Sequence, residues 1–326
     1  MKTRSRKKTT QSLADLGEFG LIDALRRMPL APDSCILTGI GDDAAVLRDS
    51  KSGDILFTTD MLIQDRHFRL KEASPFEIGR KAMGVNLSDI AAMGGHATHA
   101  VVSLGLPAEL SVSFVLELYR GLIQTGLKFG VSLVGGDTNE SDRIVISVAM
   151  IGRTFVRGQA VLRSGAKIGD VIFVSGALGG SYASRKHLRF VPRLQEAEYL
   201  VKNFKIHSMI DLSDGLASDL RRLTKESEVG AFISKEMIPL SKSARGVQSA
   251  LSDGEDFELL FTLSPRDAAR LVARKLPKSL APFRPIGKIV DKSFGVKLLR
   301  VEGAWEVLAE TGFDHFKNEK KFGTKK

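Results

Sequence analysis

The stretch that most constrains the fold joins a glycine turn, an apolar segment and three carboxylates. Asp42 and Asp43 directly follow the turn at residues 39–41, and the apolar residues 55–57 are predicted to form a buried strand. The carboxyl end of that strand would carry Thr58, Thr59 and Asp60. Carboxylates gathered in this way repel one another, so either cations neutralise them or their pKa values rise. The stretch alone fits a site for hard divalent cations such as Mg²⁺ or, equally, two Asp-rich surface turns.

Length and composition fit a two-domain protein of a reducing compartment. The chain has 326 residues, of which 43% are hydrophobic, and this is ample for buried cores. Because Cys35 is the only cysteine, a disulfide within the chain is excluded. No apolar run approaches the roughly 18 residues of a membrane span, and no apolar signal segment follows the basic N-terminus. We therefore expect a cytoplasmic protein with no membrane partner.

The net charge of +10 raises the alternative of a nucleic-acid-binding protein, so the position of the charge matters. Residues 1–8 contribute +5 and residues 317–326 contribute +4, which leaves about +1 for the rest of the chain. Basic tails of this kind are typical of solvated, disordered ends with weak, non-specific polyanion binding. We therefore expect no specific nucleic-acid partner.

Apolar periodicity predicts helices and strands in mixed order, which indicates an α+β fold in two units. A helix should begin after Ser74, where Glu77 completes a capping box, and end near Met93. Another should open at Ser213, which is predicted to be its N-cap. Further helices are predicted at residues 13–28, at 111–129 and after Pro265, and strands at 100–106, 131–134, 144–151, 171–174, 209–211, 231–233, 257–263, 296–301 and 305–308. The second unit should begin near residues 153–165.

Seven aspartates share one setting, at the end of a predicted element and beside small residues. They are Asp42, Asp43, Asp60, Asp89, Asp137, Asp211 and Asp214. Each alone fits an ordinary turn or cap, but together they favour a shared acidic cleft that binds metal ions. Such a cleft suits phosphoryl transfer or metal-assisted hydrolysis. The P-loop and protein-kinase motifs are absent from the sequence, and nothing in it pairs a nucleophile with a base.

A series of short motifs extends this pattern over about residues 13–316. They are residues 39–43 (GIGDD), 58–60 (TTD) with His67 and Phe68, 86–94 (NLSDIAAMG), 135–138 (GGDT), 163–165 (RSG), 210–215 (IDLSDG) and 254–259 (GEDFEL). In order and spacing the series closely resembles the thiamine-monophosphate kinase family, which belongs to the aminoimidazole ribonucleotide synthetase-like superfamily.

The resemblance implies an α+β fold of two mixed α/β domains, residues 13–153 and 154–316, between basic tails at 1–12 and 317–326. The N-terminal domains would bind ATP and Mg²⁺ and pair in a homodimer. The reaction would be direct, in-line phosphorylation of thiamine monophosphate by ATP, the last step of thiamine diphosphate biosynthesis. The partners would be ATP, thiamine monophosphate and a second copy of the chain.

The resemblance also implies roles for individual residues. Several Mg²⁺ ions would bind to Asp43, Thr58, Thr59, Asp60, Asp89, Asp137, Asp211 and Asp214. Gly136, Asp137, Arg163 and Ser213 match ATP contacts, and His67, Glu255 and Phe313 match substrate contacts. Asp42 lies beside a matched position.

The chemistry of this reaction agrees with the residues in one respect. A phosphate monoester has its second pKa near ~6, so the acceptor is largely a dianion at neutral pH and needs no general base. The cost of bringing it to the triphosphate is electrostatic, and cations held by carboxylates reduce that cost. Another ATP-using enzyme of the superfamily is the alternative. Its thiol-dependent members fit poorly, because Cys35 is the only thiol.

Overall fold

The N-terminal part of the chain forms a six-stranded sheet with two long helices on one face. The computed structural model describes residues 12–29, 32–49, 51, 53–300, 303–309 and 316. The strands are β1 (Ile36–Thr38), β2 (Ala45–Leu47), β3 (Ile55–Ile63), β4 (Gly95–Leu106), β5 (Ser132–Glu140) and β6 (Val145–Thr154). Their order is β1-β2-β3-β6-β4-β5, and only β4 and β5 run parallel.

Three helices accompany this sheet: α1 (Leu13–Arg26), α2 (Pro75–Ala92) and α3 (Val112–Lys128). The capping box predicted at Ser74 and Glu77 is confirmed, with both reciprocal hydrogen bonds present. α2 is buried nearly all round, because α3 packs on it closely. A Cβ atom on Gly79 would lie 2.0 Å from the carbonyl oxygen of Leu118, so this contact requires glycine. The helix that carries Asn86 and Asp89 is therefore a rigid, central element.

The C-terminal part forms a seven-stranded sheet. Its strands are β7 (Val171–Ser175), β8 (Ile206–Asp211), β9 (Gly230–Ser234), β10 (Leu259–Leu263), β11 (Phe283–Val290), β12 (Val296–Leu299) and β13 (Trp305–Val307), in the order β13-β12-β9-β11-β7-β10-β8. Its helices are α4 (Lys186–Arg189), α5 (Leu194–Asn203), α6 (Leu216–Glu226), α7 (Val247–Ser252) and α8 (Pro265–Ala273), with 3₁₀ turns at Lys235–Met237 and Lys292–Phe294. The α+β fold predicted from the sequence is confirmed.

The two sheets share a hydrophobic core around α2. Ile78 and Leu87 of this helix belong to the same buried cluster as Phe190, Leu200 and Phe257 from the C-terminal part. α2 also contacts α4, α5 and β8 directly. Within the described residues no helix is both long and apolar enough to span a membrane. The predicted boundary between residues 153 and 154 stays a prediction.

Three local predictions were wrong in detail. Thr58, Thr59 and Asp60 lie within β3 rather than at its end, because β3 continues along β6 to Ile63. The motif at residues 135–138 likewise lies within β5. Ser213 is not an N-cap. α6 begins at Leu216 after Gly215, and the Asp219 carboxylate accepts the backbone N–H groups of Asp214 and Gly215 instead.

Candidate active site

Three aspartates from separate elements meet where the two sheets adjoin. Asp43 lies in the turn before β2, Asp89 on the last turn of α2, and Asp211 at the end of β8. One carboxylate oxygen of each lies within 4.8 Å of the others, a spacing suited to ligands of a single metal ion. They line a cleft of about 270 Å³. The structure thus brings together three of the seven aspartates that the sequence placed in one cleft, and their role as metal ligands stays a prediction.

Hydroxyl groups and one guanidinium hold the three carboxylates in place. The Thr58 hydroxyl, inside β3, donates to Asp89 at 2.7 Å, and the Ser88 hydroxyl donates to Asp211 at 2.6 Å. Arg163 donates to one oxygen of Asp43. The other oxygen, Oδ2, is buried and has no hydrogen-bond partner. Because a buried carboxylate oxygen without a partner is costly, this atom fits a metal ligand.

Burial and mutual repulsion act on the protonation of the cluster. Burial, and then the charge of Asp43, raise the pKa of Asp211 to about 7. Burial, with the charges of Asp60, Asp211 and Asp43, raises the pKa of Asp89 well above its usual range. The cleft therefore holds more negative charge than its own cations offset, and it would attract a divalent cation.

Two further aspartates flank the cluster. Asp42 accepts the backbone N–H of Arg163 at 3.2 Å, and burial, followed by the charge of Asp43, raises its pKa to about 7. The backbone N–H of Asp60 donates to the side-chain oxygen of Asn86 at 3.1 Å, which ties β3 to α2. Burial raises the pKa of Asp60 to about 6. Both aspartates line the cleft, and Thr59 borders it, although the Thr59 hydroxyl lies on the outer face of β3, 3.5 Å from the Ser147 hydroxyl.

Asp214 lies at the C-terminal wall of the cleft, where a cation of the protein balances it. Arg222 pairs with Asp214 and, at 3.1 Å, with the fully buried Asp219. The ring of Phe19 from α1 stacks 4.0 Å from the same guanidinium. Ser213, beside Asp214, also lines the cleft.

One end of the cleft is formed by His67, Lys81 and Glu255, where the backbone N–H of Glu255 donates to the carbonyl oxygen of Ser213 at 2.7 Å. The backbone N–H of Ile63 donates to Nδ1 of His67 at 2.9 Å, so in the neutral ring the proton resides on Nε2. The Lys81 ammonium contacts both oxygens of Glu255, at 2.8 and 2.9 Å. This end therefore offers hydrogen-bond donors and a paired carboxylate.

Gly136 and Asp137 lie apart from the cleft on the edge strand β5, and Asp137 lies on the outer face of the N-terminal sheet, opposite Ser103. Both are exposed on β5, and Asp137 accepts a hydrogen bond from Asn139 at 2.7 Å. A Cβ atom on Gly136 would lie 1.9 Å from the carbonyl oxygen of Val102, so glycine is required there by the contact with β4. Phe313 lies outside the residues that the structure describes.

The glycine-rich loop after β7 is a turn held by the protein itself. The backbone N–H of Gly179 donates to Asp256 at 2.8 Å, and that of Gly180 donates to Asp253 at 3.1 Å. These donors are thus engaged by carboxylates of the protein, so the loop is a tight turn and not a phosphate cradle.

Sequence reasoning missed three residues of the site: Ser88, Arg222 and Lys81. Lys81 had a usable signal, because it lies on α2 in a stripe of buried residues with Ile78 and Val85, where an unpaired lysine would be very costly. Ser88 lies in the motif at residues 86–94, but its partner Asp211 is 123 residues away in the sequence. Arg222 contacts Asp214 beyond a turn whose shape was not predicted.

Comparison with known protein families places both parts of the chain. The family profile described as "AIR synthase related protein, N-terminal domain" matches residues 41–154. The one described as "AIR synthase related protein, C-terminal domain" matches residues 167–298. The first match spans β2 to β6 of the N-terminal sheet, and the second spans β7 to β11 and most of β12 of the C-terminal sheet.

Full-length relatives carry a more specific name. A thiamine-monophosphate kinase from Rhodopirellula baltica is 38% identical over 296 residues, which is 86% of this chain and 89% of the relative. One from Haemophilus influenzae is 33% identical over 94% of this chain and 99% of its own. A solved structure described as "AaThiL complexed with AMPPCP and TMP" is 31% identical, with a TM-score of 0.80, and covers 94% of this chain and 100% of its own.

Proposed function

The chain belongs to the thiamine-monophosphate kinase family of AIR synthase related proteins, and from this we propose that it transfers the γ-phosphoryl group of ATP to thiamine monophosphate. The product is thiamine diphosphate. The single structural observation that carries the proposal is the cluster of Asp43, Asp89 and Asp211, with one buried carboxylate oxygen that has no partner in the protein. A reaction between two polyanions needs such a centre of cation binding.

Mg²⁺ fits these ligands, because they are hard carboxylate and hydroxyl oxygens from short side chains. Asp43, Asp89 and Asp211 would hold it at the centre of the cleft. Further ions would be held by Thr58, Thr59, Asp60 and Asp214. When bound, Mg²⁺ neutralises negative charge on the phosphates. The hydroxyls of Thr58 and Ser88 keep the carboxylates oriented towards the centre.

Two cavities adjoin the cluster of three aspartates, and a reaction with two substrates needs a binding space for each. One leads to His67, Lys81 and Glu255 and would take the acceptor. The other is a groove of about 1020 Å³ between α1, α6 and the first strands, and it shares Asp42, Asp43 and Arg163 with the cleft. That groove is large enough for a nucleoside, and Arg163 and Ser213 would contact the nucleotide. In this arrangement the two phosphate ends approach each other over the three aspartates.

The residues of the cleft support transfer without a general base. The acceptor phosphate is already largely a dianion at neutral pH. His67 is the histidine that lines the cleft, and its Nδ1 is already used as an acceptor. The remaining Nε2–H is a donor, suited to holding an anion. His67 and Glu255 are therefore assigned to acceptor binding, and Phe313 stays a predicted contact.

A homodimer belongs to the proposal, and the outer face of the N-terminal sheet supports it. This face exposes four large apolar side chains: Phe57, Met61, Val101 and Ile151. Exposed apolar groups of this density favour a covered surface. A cytoplasmic location, expected from the single cysteine, belongs to the same proposal.

Thr59 and Asp137 lie on that outer face, and their separation bears on the dimer. In the strand register, Asp137 lies opposite Ser103 of β4, Ser103 lies opposite Ser147 of β6, and Ser147 lies opposite Met61 of β3. Three strand spacings of about 4.8 Å put Asp137 roughly 14 Å from β3, too far to share an ion with Thr59 of the same chain. We infer that Asp137 serves the site of the partner protomer.

The activity is tested by incubating the purified chain with ATP, MgCl₂ and thiamine monophosphate and separating the products by chromatography. We expect thiamine diphosphate and ADP in equal amounts. Free thiamine, which lacks the phosphate acceptor, is the matched control and should give no product. ATP consumption without thiamine diphosphate would refute the assignment and favour another ATP-using enzyme of the superfamily.

The assembly is tested in two steps. Light scattering should give about twice the chain mass of 35.5 kDa. Asp89→Asn and Asp137→Asn chains, each inactive alone, are then mixed and allowed to exchange. If sites are shared between protomers, each mixed dimer has one intact site, and about a quarter of the wild-type activity should return. No recovery in an exchanged mixture would place Asp137 in the site of its own chain.

A further inference from the structure

Lys81 is a fully buried lysine whose ammonium group has a complete set of partners. It lies in the middle of α2, and its side chain is 0% exposed. The ammonium donates to the two oxygens of Glu255 at 2.8 and 2.9 Å and to the backbone carbonyl of His67 at 2.7 Å. An ammonium has three N–H donors, so all of them are used.

The three groups joined at Lys81 come from distant parts of the chain. His67 follows β3 in the N-terminal part, whereas Glu255 lies between α7 and β10 in the C-terminal part. Glu255 has φ of +56°, and Phe257 has φ of +50°, a backbone region that non-glycine residues rarely adopt. A backbone held in this region needs strong support from its surroundings. Lys81 supplies part of that support from the rigid helix α2.

Stabilisation of the contact between the two parts of the chain does not by itself account for the buried Lys81. A buried ion pair is weak grounds for stability, because desolvation offsets most of the attraction between the charges. Bracing is already present one helical turn earlier, where Glu77 of α2 pairs with Arg185 and Arg189 of the C-terminal part, at 3.0 and 2.8 Å. Glu77 does not line the cleft, whereas Lys81 and Glu255 do.

The position of the pair suits the control of a binding carboxylate. The two oxygens of Glu255 face Lys81, and a hydrogen bond links Glu255 to the half-buried side chain of Tyr182. A carboxylate fixed in this way has few orientations left, so it is preorganised to accept an N–H donor or to face a positive charge. The ring end of thiamine monophosphate carries an amino group and a cationic heterocycle.

We propose that Lys81 is a positioning residue for the acceptor, which fixes the Glu255 carboxylate and the His67 turn in the geometry that binds thiamine monophosphate, with the Glu255 carboxylate facing the heterocyclic end. This inference rests on the proposed function. Lys81 does not contact the acceptor, and it takes no part in the transfer of the phosphoryl group. It acts through the two groups that it holds.

The test measures steady-state kinetics of Lys81→Met, Glu255→Gln and the double variant, with acceptor and ATP varied separately. Methionine keeps most of the buried volume but removes all three donors. We expect the KM for thiamine monophosphate to rise at least tenfold, while kcat and the KM for ATP stay within about twofold. Adding Lys81→Met to Glu255→Gln should change the acceptor KM by less than about twofold more, since the two residues act as one unit.

Glu77→Gln is the matched control, because it breaks an ion pair between the same two parts of the chain from the same helix. Glutamine preserves the capping box, so the start of α2 stays intact. This variant should lower the melting temperature without changing the acceptor KM. If Lys81→Met shows the same pattern, the lysine only braces the fold, and the proposal is wrong. A fall in kcat with an unchanged acceptor KM would also overturn it.

A second substitution covers loss of folding. If Lys81→Met and Lys81→Gln both fail to fold while Glu77→Gln folds, the lysine serves the fold itself, and the proposal is overturned. The wild-type chain in the same assay separates this outcome from failure of the proposed function. A wild type that makes no thiamine diphosphate refutes both, whereas an active wild type with unaltered acceptor KM in the variants refutes only the role of Lys81.

Discussion

Two groups of buried carboxylates in this protein are built in opposite ways. In the acidic cleft, Asp43, Asp89 and Asp211 approach within 4.8 Å, and Arg163 is the one cation of the protein that is hydrogen-bonded to them among the described residues. In the C-terminal sheet, Glu258 is bound by Lys186 at 2.8 Å and by Arg193 through two hydrogen bonds of 2.7 Å. We call this second group the Glu258 network.

The difference indicates a separate role for each group. In the Glu258 network the protein supplies the counterions, and the Ser175 hydroxyl completes the contacts, so the carboxylate holds β7, α4 and α5 together. In the cleft the contacts to Asp89 and Asp211 come from hydroxyls, which orient a carboxylate without neutralising it. A protein that buries negative charge without enough cations of its own has left room for cations from solution.

The largest expected effect is on turnover, from Asp89→Asn. The amide keeps the size of the side chain but removes the charge that would bind Mg²⁺, so kcat should fall by a factor on the order of 10²–10³ or more. The variant should also melt at a higher temperature than the wild type in the presence of a chelator, because one of three repelling groups is gone. Phosphate-transfer assays and thermal scans in EDTA measure the two effects. Near-full activity of Asp89→Asn would contradict the cleft as a metal site.

Glu258→Gln should give the reverse pattern and is the second prediction. Removing one charge from this buried network leaves Lys186 and Arg193 with only their longer ion pairs, to Asp256 and Glu196, at 3.6 and 3.4 Å, so the free energy of unfolding should fall by about 3 kcal/mol. At temperatures where the variant is folded, kcat should stay within about threefold of the wild type. Denaturant unfolding and assays at low temperature separate stability from activity. A large loss of kcat in folded protein would show that the network serves the reaction.

The third prediction concerns pH. Burial is the main cause that raises the pKa values of Asp42 and Asp211 to about 7 and that of Asp60 to about 6. Between about pH 4 and pH 7 the folded metal-free protein therefore binds more protons than the unfolded chain. The contribution of these groups to the stability of the folded protein is fully present below about pH 4 and is lost as the pH rises through their raised pKa values. In EDTA the melting temperature should be several degrees lower at pH 7.5 than at pH 5.

Addition of Mg²⁺ in the same experiment distinguishes the acidic cleft from the Glu258 network. Mg²⁺ should raise the melting temperature at pH 7.5 much more than at pH 5, because it binds deprotonated carboxylates. Burial also raises the pKa of Asp256 to about 6, next to the Glu258 network, and this contribution should not respond to Mg²⁺. An equal effect of Mg²⁺ at both pH values would show that the aspartates of the cleft do not titrate in this range.

Sequence patterns predicted the α+β fold and most elements, because capping and apolar periodicity are local signals. The helix after Ser74 is the clearest case, since Pro75 and Glu77 are its nearest neighbours in sequence. The start of α6 was misplaced, because Asp219, rather than Ser213, holds its first turn from inside the helix.

The types of residue in the site could be predicted from the sequence, but their contacts could not. Aspartates beside small residues indicated the cluster, and three of them do meet. The cations that offset these charges could not be predicted. Arg163 contacts Asp43, and Arg222 contacts Asp214, only because tertiary packing brings the side chains together. The place of Asp137 on the outer sheet face depended on strand order, which periodicity does not determine.

The smallest effect, expected from His67→Ala, tests whether the cleft works by charge or by proton transfer. Nδ1 of His67 already accepts the N–H of Ile63, so the ring offers only Nε2–H to the acceptor. Loss of this donor should raise the acceptor KM about tenfold and leave kcat within about threefold, the pattern of lost uniform binding. His67→Asn, which can keep an acceptor for Ile63, is the matched control for the shape of the turn.

The acid limb of the pH–rate profile should follow titration of the acceptor phosphate near pH ~6 and persist in both variants. If turnover at saturating acceptor instead drops by a factor of roughly 10²–10⁴ and that limb disappears, His67 is a general base. The excess of carboxylates would then serve only to bind substrate, and charge neutralisation would no longer suffice to explain the reaction.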